Sequence, residues 1–216
     1  MSLMRVRLTR EVATLGLSYR EYVDAVRRAV VEAELPVRRA GKDGEHPAIA
    51  TGHPLAPTHT SRCEYLDLTA ILPITASAFS DRLAAVLPQG IGLRWVGRLP
   101  EDAPSLKASI RGIRYAFQVR CDATAVERFL AARQWPLRQT RKERERVIDL
   151  KRNVSALRWE PGQVIMEIDV REEGMPKPEE ALASVFGVTL AEALGAPTER
   201  IGVRFDRLLP PRRKDL

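Results

Sequence analysis

Ile113-Arg114-Tyr115-Ala116-Phe117-Gln118-Val119 sets apolar side chains at 113, 115, 117 and 119 and alternates them with Arg114, Ala116 and Gln118. A period of two marks a β-strand with one buried face. The stretch decides the fold because it restarts a pattern that has already run once. Near the N-terminus Met4, Val6 and Leu8 alternate with Arg5 and Arg7 in the same way. Met1-Ser2-Leu3 stands ahead of that alternation and reads as an added leader.

Between the two strands the punctuation is regular. Ser18 and Glu21 form a capping-box pattern, and Tyr19, Tyr22, Val23, Val26, Ala29, Val30 and Ala33 recur at helical spacing until Pro36. Residues 47–55 are apolar but broken by Pro47 and Pro54, which suits an edge strand or a loop against the sheet. Leu66, Leu68 and Ala70 alternate in a third strand ending at Pro73. Thr75 or Ser77 caps a helix with Phe79, Leu83, Val86 and Leu87 on one face, and Ile91, Leu93 and Trp95 follow as a strand.

After the restart, Asp122 or Thr124 caps a helix carrying Val126, Phe129 and Leu130, stopped by Trp135-Pro136. A basic segment holding a Val147 to Leu150 strand comes next. Glu160-Pro161-Gly162-Gln163 has the residues of a type II turn, with Val164, Met166, Ile168 and Val170 alternating beyond it, so this is a hairpin. Pro178, Glu179 and Glu180 open a helix bearing Leu182, Val185 and Phe186, and Ile201, Val203 and Phe205 form the last strand. The order strand, helix, strand, strand, helix, strand therefore occurs twice, the second time with an extra short strand.

The expected fold is α+β: two ferredoxin-like (β-α-β-β-α-β) units in tandem, antiparallel sheets with helices on one face. The units span 4–98 and 110–209. A linker at 99–109 carries Pro100 and Pro104, and a basic tail occupies 210–216.

Composition narrows the class. At 216 residues, 44% hydrophobic and 29% charged, the chain is globular and the size of one large domain or two small ones. No apolar run approaches the roughly 18 residues of a membrane span, and no secretory h-region opens the chain, so no membrane role and a cytoplasmic location are expected. Cys63 and Cys121 are the only cysteines, too few for a disulfide framework, a four-thiolate zinc site or an iron-sulfur cluster. No cofactor is assigned.

Charge is uneven. From Arg133 to Arg158 nine Lys/Arg face three acids, a net of +6 out of +7 for the whole chain. Such a patch favours polyanions, RNA above all in the cytoplasm, through counterion release. Arg138, Arg141, Lys142, Arg144, Arg146, Lys151 and Arg152 are the candidate phosphate contacts. Glu143 and Glu145 alternate with the arginines, so a solvated, self-neutralising hairpin is the competing reading.

His46, His53, His59 and Cys63 lie within 18 residues and offer zinc-type donors. Their spacings of seven, six and four match no standard zinc pattern, and no metal is assigned. Arg111 to Phe117 has a faint likeness to the aromatic strand of RNA-recognition motifs, but Tyr115 and Phe117 share the buried face of Ile113. Tyr65 and Asp67 project from the face opposite Leu66 and Leu68, where a ligand or a neighbouring unit could meet them. No triad order, Walker loop or Rossmann fingerprint is visible.

Gly52-His53-Pro54-Leu55, Glu64-Tyr65-Leu66-Asp67-Leu68, Ala103-Pro104-Ser105-Leu106 and Val147-Ile148-Asp149-Leu150, in that order and spacing, resemble a bacterial family of unassigned function, the radical-SAM-associated domain family. The resemblance runs from about Met4 to Leu209. The sequence departs from it at Gly41 to Pro47, where the family carries an aromatic-and-proline segment, and at Leu17-Ser18-Tyr19, where it tends to carry Leu-Ser-His. The resemblance implies a radical SAM enzyme as partner. This chain cannot be that enzyme, whose cluster needs three closely spaced cysteines; here there are two, separated by 57 intervening residues.

The expected function is a non-catalytic RNA-recognition or adaptor domain for such a partner, in RNA or ribosome-related modification. Two alternatives remain open. One is an endoribonuclease, by fold analogy with the paired units of CRISPR-repeat-processing enzymes, with His46, His53 or His59 as general acid or base. The other is a protein-docking scaffold that binds no nucleic acid.

Overall fold

The structure is a computed structural model that describes residues 1–100, 102–141, 144–171 and 175–206. Its residues fall into two compact units, Met1–Ile110 together with Asp206, and Arg111–Phe205. The sheet is mostly antiparallel and helices accompany it, so the fold is α+β.

The first unit runs β1 (Ser2–Arg10), a 3-10 turn (Val12–Thr14), α1 (Tyr19–Glu32), β2 (Arg39–Ala40), β3 (His46–Pro47), β4 (Ile49–Thr51), β5 (His59–Ala70), α2 (Ala76–Ala84), β6 (Leu93–Leu99) and α3 (Leu106–Ser109). Its strands lie in the order β4-β5-β1-β6. β1 begins at Ser2, opposite Ala70, so Ser2 and Leu3, ahead of Met4, belong to the sheet. α1 opens with a formed capping box: the Ser18 side chain accepts from Glu21 N–H, and the Glu21 carboxylate accepts from Ser18 N–H. Met4, Val6, Leu8, Leu66 and Leu68 bury the alternating face against Tyr22, Val26, Val30 and Phe79 of the helices. Each such side chain contributes about 1.5–3 kcal/mol of burial.

The segment between β3 and β5 supplies the edge strand expected at 47–55, with Ile49 opposite Leu68. Gly52 follows it at a close approach: a Cβ there would stand 3.3 Å from Ile110 Cδ1. The stretch 99–109 ends β6 and then turns into α3, which Ser105 caps and whose Leu106 is buried.

The second unit runs β7 (Ile110–Gln118), α4 (Thr124–Ala131), β8 (Pro136–Arg141), β9 (Arg144–Asp149), α5 (Leu150–Asn153), β10 (Val154–Glu160), β11 (Gln163–Asp169), α6 (Pro178–Phe186), α7 (Leu190–Gly195) and β12 (Thr198–Phe205). The strand order is β10-β11-β7-β12. Val164, Met166 and Ile168 stand opposite Phe117, Tyr115 and Ile113, and all six are buried. Tyr115 and Phe117 are therefore core residues, as the alternation indicates. Among the described residues β8 and β9 pair only with each other, as a separate two-stranded sheet. The sequence suggested one extra strand here; the structure has a complete hairpin. Among the described residues no helix is long and apolar enough to cross a membrane.

Candidate nucleic-acid interface

The hairpin β8/β9 holds most of the basic segment, and its register sorts the side chains onto two faces. Leu137 opposes Ile148 and Gln139 opposes Arg146; Arg138 opposes Val147 and Thr140 opposes Glu145. The first set faces the unit: Gln139 is buried and donates to the Glu180 carboxylate on α6. The second set is exposed, Val147 by 64%.

The base of the hairpin is pinned by one carboxylate. Asp149 Oδ1 accepts from Trp135 N–H at 2.8 Å and from Lys151 N–H at 3.0 Å, while Leu150 N–H donates to Trp135 C=O at 2.8 Å. Trp135 in turn donates through Nε1 to Ser184 Oγ of α6 at 3.0 Å and packs on Phe129. These bonds fix the direction in which the hairpin leaves the unit.

The seven candidate cations are not equivalent in this frame. Arg138 and Arg152 are exposed and make no side-chain hydrogen bond or ion pair among the described residues. Arg146 lies on the inner face, where Nε and Nη2 donate to Gln139 Oε1 at 3.1 and 2.8 Å. The Lys151 ammonium donates to the carbonyls of Phe129 and Leu130 at 3.0 and 3.1 Å and sits 4.7 Å from the Phe129 ring centroid. It thus satisfies the C-terminal carbonyls of α4. Arg141 and Arg144 pair across the end of the hairpin, but their side chains, like all of Lys142, lie outside the described residues.

Beside the hairpin base opens a cleft of about 710 Å³, lined by Gln134, Val147, Asp149, Arg152, Asn153 and Arg171 among others. That is within the size range of small-ligand sites. Its two arginines come from different elements. Among the described residues Arg171 makes one loose ion pair, 3.7 Å to Asp169, and an exposed pair of this kind holds an arginine weakly. Two guanidiniums, two amides and an apolar wall can take a phosphate and a flat polar ring together.

Further along β11 lies a cluster that the sequence reading did not find. Arg114 donates to Glu167 through Nε and Nη2 (3.1 and 2.7 Å), and Arg204 bridges Glu167 (2.6 Å) and Asp169 (2.5 Å). Burial pushes the Glu167 carboxyl up, but the hydrogen bonds from Arg204 and Arg114 outweigh it and hold the group below its usual range. Gly112 makes room for the bridge, since a Cβ there would stand 2.8 Å from Arg204 Nη2. The alternation of Arg114 and Glu167 with core residues was the available signal.

His46 lies in β3, His53 in the loop after β4, and His59 and Cys63 on β5, both buried. Among the described residues no three His, Cys, Asp or Glu side chains stand close enough to hold a metal ion. Burial also pushes the Cys121 thiol above its usual range, away from the reactive thiolate.

Fold and site together define an α+β protein with a mostly antiparallel sheet, bearing an arginine-carrying hairpin outside that sheet. The chain matches, over residues 4–178, the family described as uncharacterized protein conserved in bacteria (DUF2344), and it belongs to that family. No curated protein matches the chain.

Proposed function

We propose that the chain is a non-catalytic RNA-recognition or adaptor domain, two ferredoxin-like units in tandem, that holds an RNA for a radical SAM enzyme. The observation that carries the reading is the hairpin: a rigidly based, separate sheet with Arg138 on its exposed face and Arg152 beside a cleft at its foot. Cations without partners among the described residues are the ones available to phosphates. The net +6 of residues 133–158 adds long-range attraction for a polyanion. The second, third, first, fourth strand order recurring in both units supports the tandem description. The radical SAM partner rests on the resemblance in sequence.

The test is retention of total cellular RNA by the purified protein across a salt series. RNA is expected to bind at low salt and fall away steeply. Arg138→Ala with Arg152→Ala is expected to flatten the log-log salt slope by about 1.4, at about 0.7 per single-strand phosphate contact. An unchanged slope removes these residues from the interface. No retention at low salt, with tight co-purification of a radical SAM enzyme, replaces the reading by a docking scaffold.

A further inference from the structure

The first unit also carries a small hairpin outside its main strand order. β2 and β3 pair with each other, Arg39 opposite Pro47 and Ala40 opposite His46, between α1 and β4. That is the position that β8 and β9 occupy between α4 and β10. Beside it lies a groove of about 610 Å³ whose lining includes Arg27, Arg38, Arg39, His46, Asp67 and Thr69.

The charge in this groove is one-sided. Its one carboxylate, Asp67, is consumed by Arg5, whose Nε and Nη2 donate to it at 2.7 and 2.8 Å. Three guanidiniums remain. Arg39 is already oriented, donating to the carbonyls of Gly44 at 2.6 Å and Glu45 at 2.9 Å, with donors to spare. Arg38 is exposed and has no side-chain partner among the described residues. Arg27 binds Asp24 through Nη1 at 2.5 Å, but its Nε is buried and without a hydrogen-bond partner among the described residues. That nitrogen is closed to solvent, but the Arg27 side chain as a whole is 31% exposed and lines the groove, so the rest of its guanidinium can meet a ligand there.

We infer that this groove is a second anion site, which takes a phosphate group, with Arg27 and Arg38 as its direct donors and Arg39 as a preformed wall. Planar guanidiniums from a helix and from an adjoining strand segment suit the several oxygens of one phosphate. The site stands on the first unit alone and goes beyond the hairpin reading. The phosphate can belong to a polynucleotide backbone or to a free phosphate compound.

The experiment follows the arginine Nε–Hε resonances of the ¹⁵N-labelled full chain during titration with inorganic pyrophosphate, and separately with single-stranded oligouridine lacking terminal phosphates. Pyrophosphate is expected to shift the Arg27 and Arg38 signals and leave that of Arg20, whose side chain is 91% exposed on the same helix. Arg38→Gln is expected to weaken pyrophosphate binding about tenfold, the scale of one charge-assisted hydrogen bond. Arg27→Gln is a second variant with the same expectation. The same shifts with oligouridine assign the site to a nucleic-acid backbone; shifts with pyrophosphate alone assign it to a free phosphate compound. Absence of shifts at Arg27 and Arg38, or an equal loss in Arg20→Gln, overturns the site. Either result leaves the hairpin's own salt dependence intact, so the two readings fail separately.

Discussion

The guanidinium of Arg5 and the carboxylate of Asp67 meet across directly opposed positions of β1 and β5, with side chains only 1% and 4% exposed. Two charges held this far from water are stable only as a pair, because each supplies the solvation the other has lost. Asp67→Asn therefore removes the carboxylate charge that faces a buried guanidinium and is expected to cost about 3 kcal/mol, read as a shift of the chemical-denaturation midpoint. Arg5→Met with Asp67→Leu removes both charges and is expected to recover most of that loss; a double variant no better than the single one refutes the pairing account. Neither half of this pair was legible as buried. Alternation places Arg5 and Asp67 opposite the core side chains, and a period of two says which face a residue is on but not whether that face is covered. In the structure α3 and the Gly52 turn lie near Asp67 on that side, and α3 came from a stretch that carries no periodicity.

At the scale of elements, what sequence shows best is what local chemistry enforces. The Ser18 capping box, the Thr75 cap and the Pro178 helix start all occupy the positions their residue types favour. The turn at Pro161-Gly162 joins β10 to β11, with Gly162 at φ +79°. What stayed hidden was the strand β8, because its inward face carries one apolar residue, Leu137, followed by Gln139, which meets Arg146 of β9 and Glu180 of α6. A single apolar position leaves no hydrophobic period to read. α7 was also passed over, although Thr189 and Glu192 form its capping box. The hairpin yields a prediction that separates structure from binding. Lys151 satisfies the end of α4, so Lys151→Ala is expected to lower stability by about 1 kcal/mol, or about 2–4 °C in Tm, while leaving the salt slope of RNA binding unchanged. A flattened slope with an unchanged Tm would return Lys151 to the set of phosphate contacts.

At the scale of the whole molecule, the candidate binding groups fall into two sets that use no common residue. One is Arg138 and Arg152 at the β8/β9 hairpin; the other is Arg27 and Arg38 beside β2/β3. Each set sits in its own unit; Arg38, like Arg138 and Arg152, falls in the gap after the unit's first long helix, whereas Arg27 lies on that helix. Counterion release is counted phosphate by phosphate, so contacts that act independently add in the salt slope. If one RNA strand occupies both sites, Arg27→Gln with Arg38→Gln and Arg138→Ala with Arg152→Ala each reduce the slope by about 1.4, and all four together reduce it by about 2.8. Binding of oligouridine to the three variants over a salt series measures this directly. A fourfold variant no flatter than the hairpin pair would show that RNA uses the second unit alone. In that case the groove of the first unit must find its phosphate elsewhere, and the pyrophosphate titration then decides whether it binds one.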